Sequence, residues 1–256
     1  MQIADGRLAA VRINNLAGIR PAAEALRDAA AEIAGLRVAA THNIASSAPM
    51  SDAEGQVLAR EVFAFDEPTS WWQFPQLALT SPLPMACRFE SEPFWCNAAG
   101  IRTQSPNLML ARLDLSNFRK RALTSAAIVA PIHLPFGQIG AVSFLPHDPA
   151  ADDLSAEYDA HGDVLAFLAR IFVSSYVKVT ERRPSRVSAV ALSKREVECL
   201  RWAAAGKTNE EIATILGLKR TTVRFHIRTA ADKLDAVNRD QALFKAAQLG
   251  FLGTLR

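Results

Sequence analysis

Cysteines and metal-binding patterns are scarce in this chain of 256 residues. The three cysteines, Cys87, Cys96 and Cys199, are an odd number, and none stands at a zinc-ligand spacing from another cysteine or from a histidine. This pattern excludes a disulfide framework and predicts free thiols in a reducing compartment. No metal ligand is predicted, because the five histidines are scattered along the chain.

Features of membrane, exported and catalytic proteins are also missing. No segment is an uncharged apolar run of the ~20 residues that a membrane helix needs, and the N-terminus, MQIADGRLAAVRI, lacks a signal-peptide pattern. There is no nucleophile elbow, phosphate loop or metal motif, and the pairs Ser46-Ser47 and Ser174-Ser175 have no recognisable base partner. We therefore expect a cytoplasmic protein that has no membrane partner, cofactor or catalytic residue and is not an enzyme.

The chain does contain a dense series of helix signals between residues 192 and 249. Ser193 and Glu196 form a capping-box pattern at the start of a first helix, which we expect Gly206 to end. Thr208 or Asn209 is expected to cap a second, short helix. Apolar residues at helical spacing predict a buried face on each of four amphipathic helices.

The turn between the second and third of these helices is very short, which is a helix-turn-helix signal. We expect Thr221 or Thr222 to cap the third helix, whose Arg224 and Arg228 lie four residues apart on one outward face. Arginine can bond O6 and N7 of guanine together, which discriminates bases by ~1–3 kcal/mol. The predicted DNA contacts are Lys219, Arg220, Thr221, Thr222, Arg224, Phe225, His226 and Arg228.

A fourth helix is expected to begin at Asp240, with Leu234, Phe244 and Leu249 available to pair with a second copy of the domain. Charge supports binding to a polyanion, because residues 176–256 carry 16 Lys and Arg against 8 Asp and Glu, net +8. Residues 1–175 carry 13 against 18, net −5. The cationic part is therefore the part with the helix-turn-helix pattern.

Residues 192–249 resemble the DNA-binding domain of the LuxR family of bacterial transcription regulators. The resemblance implies that Glu196, Leu200 and Gly206 hold the helix arrangement, and that a homodimer binds an inverted repeat in double-stranded DNA. RNA polymerase or another regulator is a further candidate partner. The matching residues are Leu192, Ser193, Arg195, Glu196, Leu200, Gly206, Lys207, Thr208, Asn209, Glu211, Ile212, Ala213, Leu216, Thr222, Val223, His226, Lys233 and Leu234.

Two domains are predicted: residues 1–176, a polar basic linker at 177–191 that contains Pro184, and residues 192–256. We expect the first to be α+β, an α-β-α sandwich around one mostly antiparallel sheet, and the second to be an all-α four-helix domain. The elements predicted in the first domain are a helix at 21–35, a strand at 36–43, a strand or helix at 56–65, a strand at 85–90, a helix at 117–123, strands at 125–134 and 139–145 joined by a turn, and a helix at 149–176.

The first domain resembles the autoinducer-binding domain of the same family. Residues 125–146 resemble its pair of central strands. Trp95 resembles the tryptophan that bonds the lactone carbonyl of an acyl-homoserine lactone, and Trp71 or Trp72 resembles an upstream pocket tryptophan. The resemblance implies a small-molecule signal of this type or a variant. The predicted ligand-binding residues are Trp71, Trp72, Phe74, Trp95, Ala127 and Val129.

Departures from the family pattern concern the polar anchors of the lactone. The family has an Asp-Pro pair whose carboxylate accepts the ligand amide N–H, and here Ser81-Pro82 or Leu83-Pro84 stands in its place. The expected tyrosine is Pro75 or Gln76, and the expected strand glycine is Ala127. A lost hydrogen bond to a buried amide costs ~1–3 kcal/mol. We therefore expect poor lactone binding, a different apolar ligand, or no ligand.

Three alternatives remain open from the residues alone. The tryptophans at 71, 72 and 95 are equally well explained as core, because aromatic residues dominate core burial. A phospho-acceptor receiver domain would require an acidic cluster near the N-terminus, where Asp5 stands alone. A sensor that interacts only with another protein would leave no recognisable motif.

Overall fold

A computed structural model describes residues 5–65, 77–181 and 191–253 of the protein. The chain divides into two units, residues 1–134 with 138–182 and residues 183–256 with 135–137. None of the helices within the described ranges combines the length and the apolar character that crossing a bilayer requires.

The N-terminal unit is built on a five-stranded sheet in which every pair of neighbours is antiparallel. Its spatial order is β1-β5-β4-β2-β3. The hairpin predicted at 125–145 is confirmed, with Ile128 opposite Phe144 at its centre. The strands are β1 (Leu36–Thr41), β2 (Phe94–Asn97), β3 (Gly100–Thr103), β4 (Ala126–His133) and β5 (Ile139–Pro146).

Seven helices accompany this sheet in the described part of the unit, and only two of them are long. The helices are α1 (Asp5–Val11), α2 (Ile19–Ala34), α3 (Leu58–Glu61), α4 (Leu77–Thr80), α5 (Pro82–Cys87), α6 (Phe118–Ala122) and α7 (Ser155–Thr180). Short 3-10 turns lie at Leu16–Gly18, Leu110–Arg112 and Pro135–Gly137.

The sheet is covered on both faces, because successive side chains of a strand point to opposite sides. One face, here called the α7 face, carries Ile128 and Phe144 and packs with residues of α2 and α7. The other, the α5 face, carries Val129 and packs with Cys87 of α5 and Phe118 of α6. The predicted α-β-α arrangement around an antiparallel sheet is therefore confirmed.

Short elements of this unit differ from the sequence predictions. Residues 85–90, predicted as a strand, form no strand: 85–87 are the end of helix α5, in which Pro82 occupies a first-turn position that favours a helix and Ala86 and Cys87 are buried. The undecided segment 56–65 contains the one-turn helix α3. The hairpin of β2 and β3 was not predicted, since strands of four residues give too few alternations to recognise. Helix α7 starts six residues later than predicted.

The C-terminal unit contains the four predicted helices, α8 (Lys194–Ala204), α9 (Asn209–Leu216), α10 (Arg220–Lys233) and α11 (Arg239–Gln248). Both ends of the capping box at Ser193 and Glu196 are formed, and Thr208 caps α9 in the same way with Glu211. Gly217 ends α9 with φ of 64°, a left-handed conformation that glycine adopts without steric cost.

Four local predictions in this unit are wrong. Helix α10 begins after Lys219 rather than after a threonine cap, and α11 is capped by Asn238, whose Oδ1 accepts from Gln241 N, rather than by Asp240. Ile215 occupies one of the apolar positions that predict the buried face of α9, but it is 44% exposed. Leu234, expected at a contact with a second copy, is buried within the helical core because it follows the inward face of α10.

Candidate nucleic-acid interface and ligand cavity

Helix α10 has one buried and one exposed face. Val223, Ile227 and Ala230 lie in the core of the C-terminal unit. Arg224 and Arg228, one turn apart, are exposed on the opposite side. The side chain of Phe225 is 64% exposed beside them. An exposed helix with this composition has the dimensions and donors needed to enter a major groove.

The predicted DNA contacts are brought together at the N-terminal half of α10. Lys219, Arg220 and Thr221 are exposed, and Thr222 and His226 are half-buried. The rings of Phe225 and His226 meet edge to face at 5.9 Å. Seven of the eight predicted residues therefore lie in the first three turns of α10, and the eighth, Lys219, directly precedes the helix.

The four cations of this surface have no acidic partner in the part of the chain that the structure describes. Lys219, Arg220, Arg224 and Arg228 form no salt bridge with any carboxylate in residues 5–65, 77–181 or 191–253. Other basic residues of the same unit are paired, as Arg195 is with Glu198 at 2.8 Å. The α10 surface thus keeps its full positive charge for an external anion.

An ion pair between α8 and α10 fixes the position of the exposed helix. Lys233 Nζ lies 2.9 Å from both carboxylate oxygens of Glu196, which also accepts the Ser193 N–H at 2.7 Å. Burial alone would raise the pKa of Glu196, but the bonds from Lys233 and Ser193 outweigh it and place that pKa below its ordinary value. Glu196 therefore remains ionised and joins the two helices, in agreement with the structural role that the resemblance implies.

The N-terminal unit contains a cavity of about 250 Å³ on the α5 face of the sheet. Its floor follows from the strand register. Ser143 of β5 lies opposite Ala39 of β1 and, on its other side, opposite Val129 of β4. Residues of α5 and α6, among them Leu83 and Ala122, form the remaining wall. The lining is mainly aliphatic, as in most small-molecule sites.

The polar side chains of the described lining are two arginines, one histidine and five hydroxyl residues, so positive charge and hydroxyl groups are present there. Arg37 enters it from β1, with its guanidinium 4.4 Å from the ring centre of Phe65 and one bond to Ala64 O. Ser81 is 5% exposed and lines the wall, and its hydroxyl does not cap α5. Among the described residues that line the cavity there is no Asp or Glu.

The predicted ligand residues are not all found together. Val129 lines the cavity, and Ala127 lies on the same face without lining it. Trp95 lies on the α7 face, 5% exposed, with the Arg102 guanidinium 5.3 Å from its ring centre. The grouping of Trp95 with Val129 is therefore wrong, because the two side chains point to opposite sides of the sheet.

Trp71, Trp72 and Phe74 lie outside the described residues, so their assignment stays a prediction. Sequence reasoning also missed cavity residues that the structure shows, above all Arg37 and Ser143. A signal for Arg37 was present: it is a charged residue between the buried positions Leu36 and Val38 of a predicted strand. Ser143 had no distinguishing signal, since a small polar residue in a strand is common.

The cysteines are buried, unpaired thiols. Burial raises the pKa of Cys87 to about 12, so this cavity residue is a thiol and not a nucleophilic thiolate at neutral pH. Within the described ranges no three His, Cys, Asp or Glu side chains are grouped as metal ligands.

Comparison with known proteins matches residues 190–246 to the family model of bacterial regulatory proteins of the luxR family. The chain is 32% identical to the HTH-type quorum sensing-dependent transcriptional regulator RpaR of Rhodopseudomonas palustris, over 72% of each protein. It is 28% identical to the transcriptional activator protein AhyR of Aeromonas hydrophila, over 72% of this chain and 71% of that protein.

A solved structure of SdiA in complex with octanoyl-rac-glycerol covers 100% of both chains at 18% identity, with a TM-score of 0.49. The sequence match to RpaR extends beyond the C-terminal unit, since 72% of the chain is more than that unit contains. The chain belongs to the LuxR family of bacterial transcription regulators.

Proposed function

We propose that this protein is a sequence-specific DNA-binding regulator that binds an inverted repeat as a homodimer and responds to a small molecule in its N-terminal unit. The observation that carries the proposal is the unpaired basic face of α10, with Arg224 and Arg228 exposed one turn apart. Arg224 and Arg228 read base edges, whereas Lys219, Arg220 and His226 contact phosphates.

The reason for proposing a homodimer is the small number of base pairs that one recognition helix can contact. A single α10 reads only a few base pairs, so a second copy related by a two-fold axis doubles the contacts and fixes the spacing of half-sites. Phe244 of α11 is 63% exposed and Val237 is 87% exposed, which leaves apolar surface next to the helical core for a contact between copies. RNA polymerase or another regulator is the further partner of a DNA-bound dimer.

The N-terminal cavity is the proposed signal site. It is apolar, and in the described lining it lacks the carboxylate that would accept an amide N–H. The acyl-homoserine lactone site is therefore degenerate, and an ordinary lactone binds weakly. The protein is cytoplasmic and not an enzyme in this proposal. A ligand-independent or protein-regulated member of the family is the second candidate, favoured by the same missing carboxylate.

Selection of bound sequences from a random double-stranded DNA library tests the proposal on the full chain. We expect a palindromic motif. Arg224→Ala should relax one position of each half-site, a loss of ~1–3 kcal/mol in discrimination, while Lys219→Ala should weaken all sequences alike and reduce the salt slope by about one.

Lys194→Ala is the matched control, since this exposed lysine lies on α8 and away from the α10 face. It should leave both the motif and the salt slope unchanged. Enrichment of no motif, or a motif that Arg224→Ala leaves intact, would contradict the proposed recognition surface. A motif without palindromic symmetry would contradict the dimer alone.

A further inference from the structure

The polar groups of the N-terminal cavity favour a particular class of ligand. From the donors that line it we infer that this cavity binds a medium-chain carboxylate, with the acyl chain on the aliphatic floor and the carboxylate held by Arg37 and Ser143. This inference rests on the proposed signal site and names the chemistry of its ligand.

Arg37 and Ser143 are near neighbours on the cavity floor. Arg37 of β1 lies opposite Leu145 of β5, and Ala39 lies opposite Ser143, so Arg37 and Ser143 are diagonal neighbours on one face of the sheet. Diagonal Cβ atoms in an antiparallel pair are ~7–8 Å apart. Both side chains rise from the α5 face and line the cavity, so the proposed carboxylate lies between these two positions.

Both side chains have donors to spare. Arg37 makes one hydrogen bond, from Nη2 to Ala64 O at 2.9 Å, out of the five N–H donors that a guanidinium offers. The hydroxyl of Ser143 has no hydrogen-bond partner among the described residues, and the same holds for Ser81 in the cavity wall. Arg121, the other cationic residue of the lining, differs because its guanidinium is bonded to Thr80 O and to Asp114.

The position of Arg37 suits a charged head group better than a neutral one. Its side chain is half-buried, and it belongs to the second residue of β1, an edge strand of the sheet. A carboxylate bound there therefore keeps part of its hydration. A charge-assisted bidentate bond between arginine and a carboxylate is stronger than a neutral hydrogen bond. An acyl-homoserine lactone is neutral, so it offers Arg37 carbonyl acceptors but no negative charge.

The size of the cavity limits the chain. At about 250 Å³ it lies just below the ~300–1,000 Å³ of typical ligand sites, so an acyl chain of medium length is the chosen probe. The aliphatic floor of Ala39, Val129 and Ala141 would bury that chain.

Thermal unfolding of the full-length protein with three ligands of equal chain length tests the inference. Octanoate, octanoyl-homoserine lactone and octylammonium are titrated separately at pH 7, so that only the head group differs. We expect octanoate to raise Tm in a saturable way, the lactone to bind at least tenfold more weakly, and octylammonium to give no saturable shift. The last ligand controls for unspecific binding of the alkyl chain.

Variants then identify the head-group site. Arg37→Gln should weaken octanoate at least tenfold, and Ser143→Ala should weaken it by a smaller factor. Arg112→Gln, which removes an exposed arginine outside the cavity, should leave octanoate binding unchanged. Each shift is measured from the Tm of the same variant without ligand, so a loss of stability alone does not imitate a loss of binding.

Three outcomes would overturn the inference: lactone binding at least as tight as octanoate, octanoate binding that Arg37→Gln leaves intact, or no saturable shift with any of the three ligands. The selection of DNA sequences described above is independent of these titrations. A protein that selects a palindromic motif but ignores octanoate would leave the DNA-binding proposal standing and refute the carboxylate.

Discussion

The ion pair between Glu196 of α8 and Lys233 of α10 allows a quantitative prediction of how much stability is lost when either partner is replaced. Lys233→Met removes the cation and Glu196→Gln removes the anion, while Lys194→Met changes an exposed lysine on the same helix as Glu196. The side chain of Glu196 is 5% exposed and that of Lys233 is 39% exposed. This asymmetry in burial makes the two substitutions unequal.

Lys233→Met should be the more harmful change. It leaves an ionised carboxylate that is nearly inaccessible to water and whose remaining hydrogen bond is the one from the Ser193 N–H in the capping box. Removal of one partner from a buried pair costs ~3–5 kcal/mol, and we expect about 3 kcal/mol because the lysine is partly solvated. Glu196→Gln should cost only about 1 kcal/mol, since the freed Lys233 can turn to water and the amide oxygen can still accept from Ser193.

Native-state hydrogen exchange of the full chain, read at the amides of α8 and α10, measures these costs locally. The double variant Lys233→Met/Glu196→Gln should be more stable than Lys233→Met alone, since no charge is then left buried. Lys194→Met should stay within ~0.5 kcal/mol of the parent. Equal losses for the two single variants, or additive losses in the double variant, would refute the reasoning.

The pH dependence of the same contact has a defined sign. The folded-state pKa of Glu196 lies below its ordinary value, so the stability that its ionised form contributes is present above an unfolded-state pKa of ~4.3. That contribution is lost as the pH falls through the folded-state pKa. The deficit of Lys233→Met should therefore shrink in acid, where the unpaired carboxylate takes up a proton.

Three further predictions concern the N-terminal unit. Desolvation lowers the pKa of His42 despite the opposing effect of a nearby carboxylate, so the folded state binds fewer protons than the unfolded state. Tm should therefore fall as the pH drops below ~6.5, and a pH series of melting curves should show a smaller fall for His42→Gln. Gly140→Ala would place a Cβ 2.7 Å from a side-chain methyl of α7 and 3.1 Å from a backbone oxygen. Urea unfolding should therefore show a loss of ~1–3 kcal/mol in the free energy of unfolding. Gly100→Ala is the control, because a Cβ at that position meets nothing within 4 Å. Burial raises the pKa values of Cys87 and Cys96, so iodoacetamide at pH 8 should label neither thiol before unfolding; rapid labelling of the folded protein would contradict their burial.

The four helices of the C-terminal unit could be predicted because the signals for their positions are local. The Ser193 and Glu196 pair sets the start of α8 within four residues of chain, and Gly217 ends α9 through its own backbone conformation. Burial was harder to predict than helix position. Ile215 satisfies the apolar spacing of α9, yet it is exposed, because a helix of eight residues buries only a narrow stripe against its neighbours.

The candidate ligand site could not be predicted in the same way, because it depends on the pairing of strands that lie far apart in the sequence. Whether Trp95 and Val129 share a cavity depends on the register between β2 and β4, in which Trp95 lies opposite Ile128. A shift by one residue moves a side chain to the other face of the sheet. The resemblance placed both residues in the right strands, but only the register shows that they face different layers.

The two faces of the sheet pack with helices of different length within the described residues. The α7 face packs with α2 and α7, helices of 16 and 26 residues. The α5 face packs with α5 and α6, of 6 and 5 residues, which cannot span a five-stranded sheet. A ligand in the cavity on that face that binds only the folded unit would add its binding free energy directly to the stability of the unit. Signal binding and folding of the N-terminal unit are therefore expected to be coupled through the α5 face.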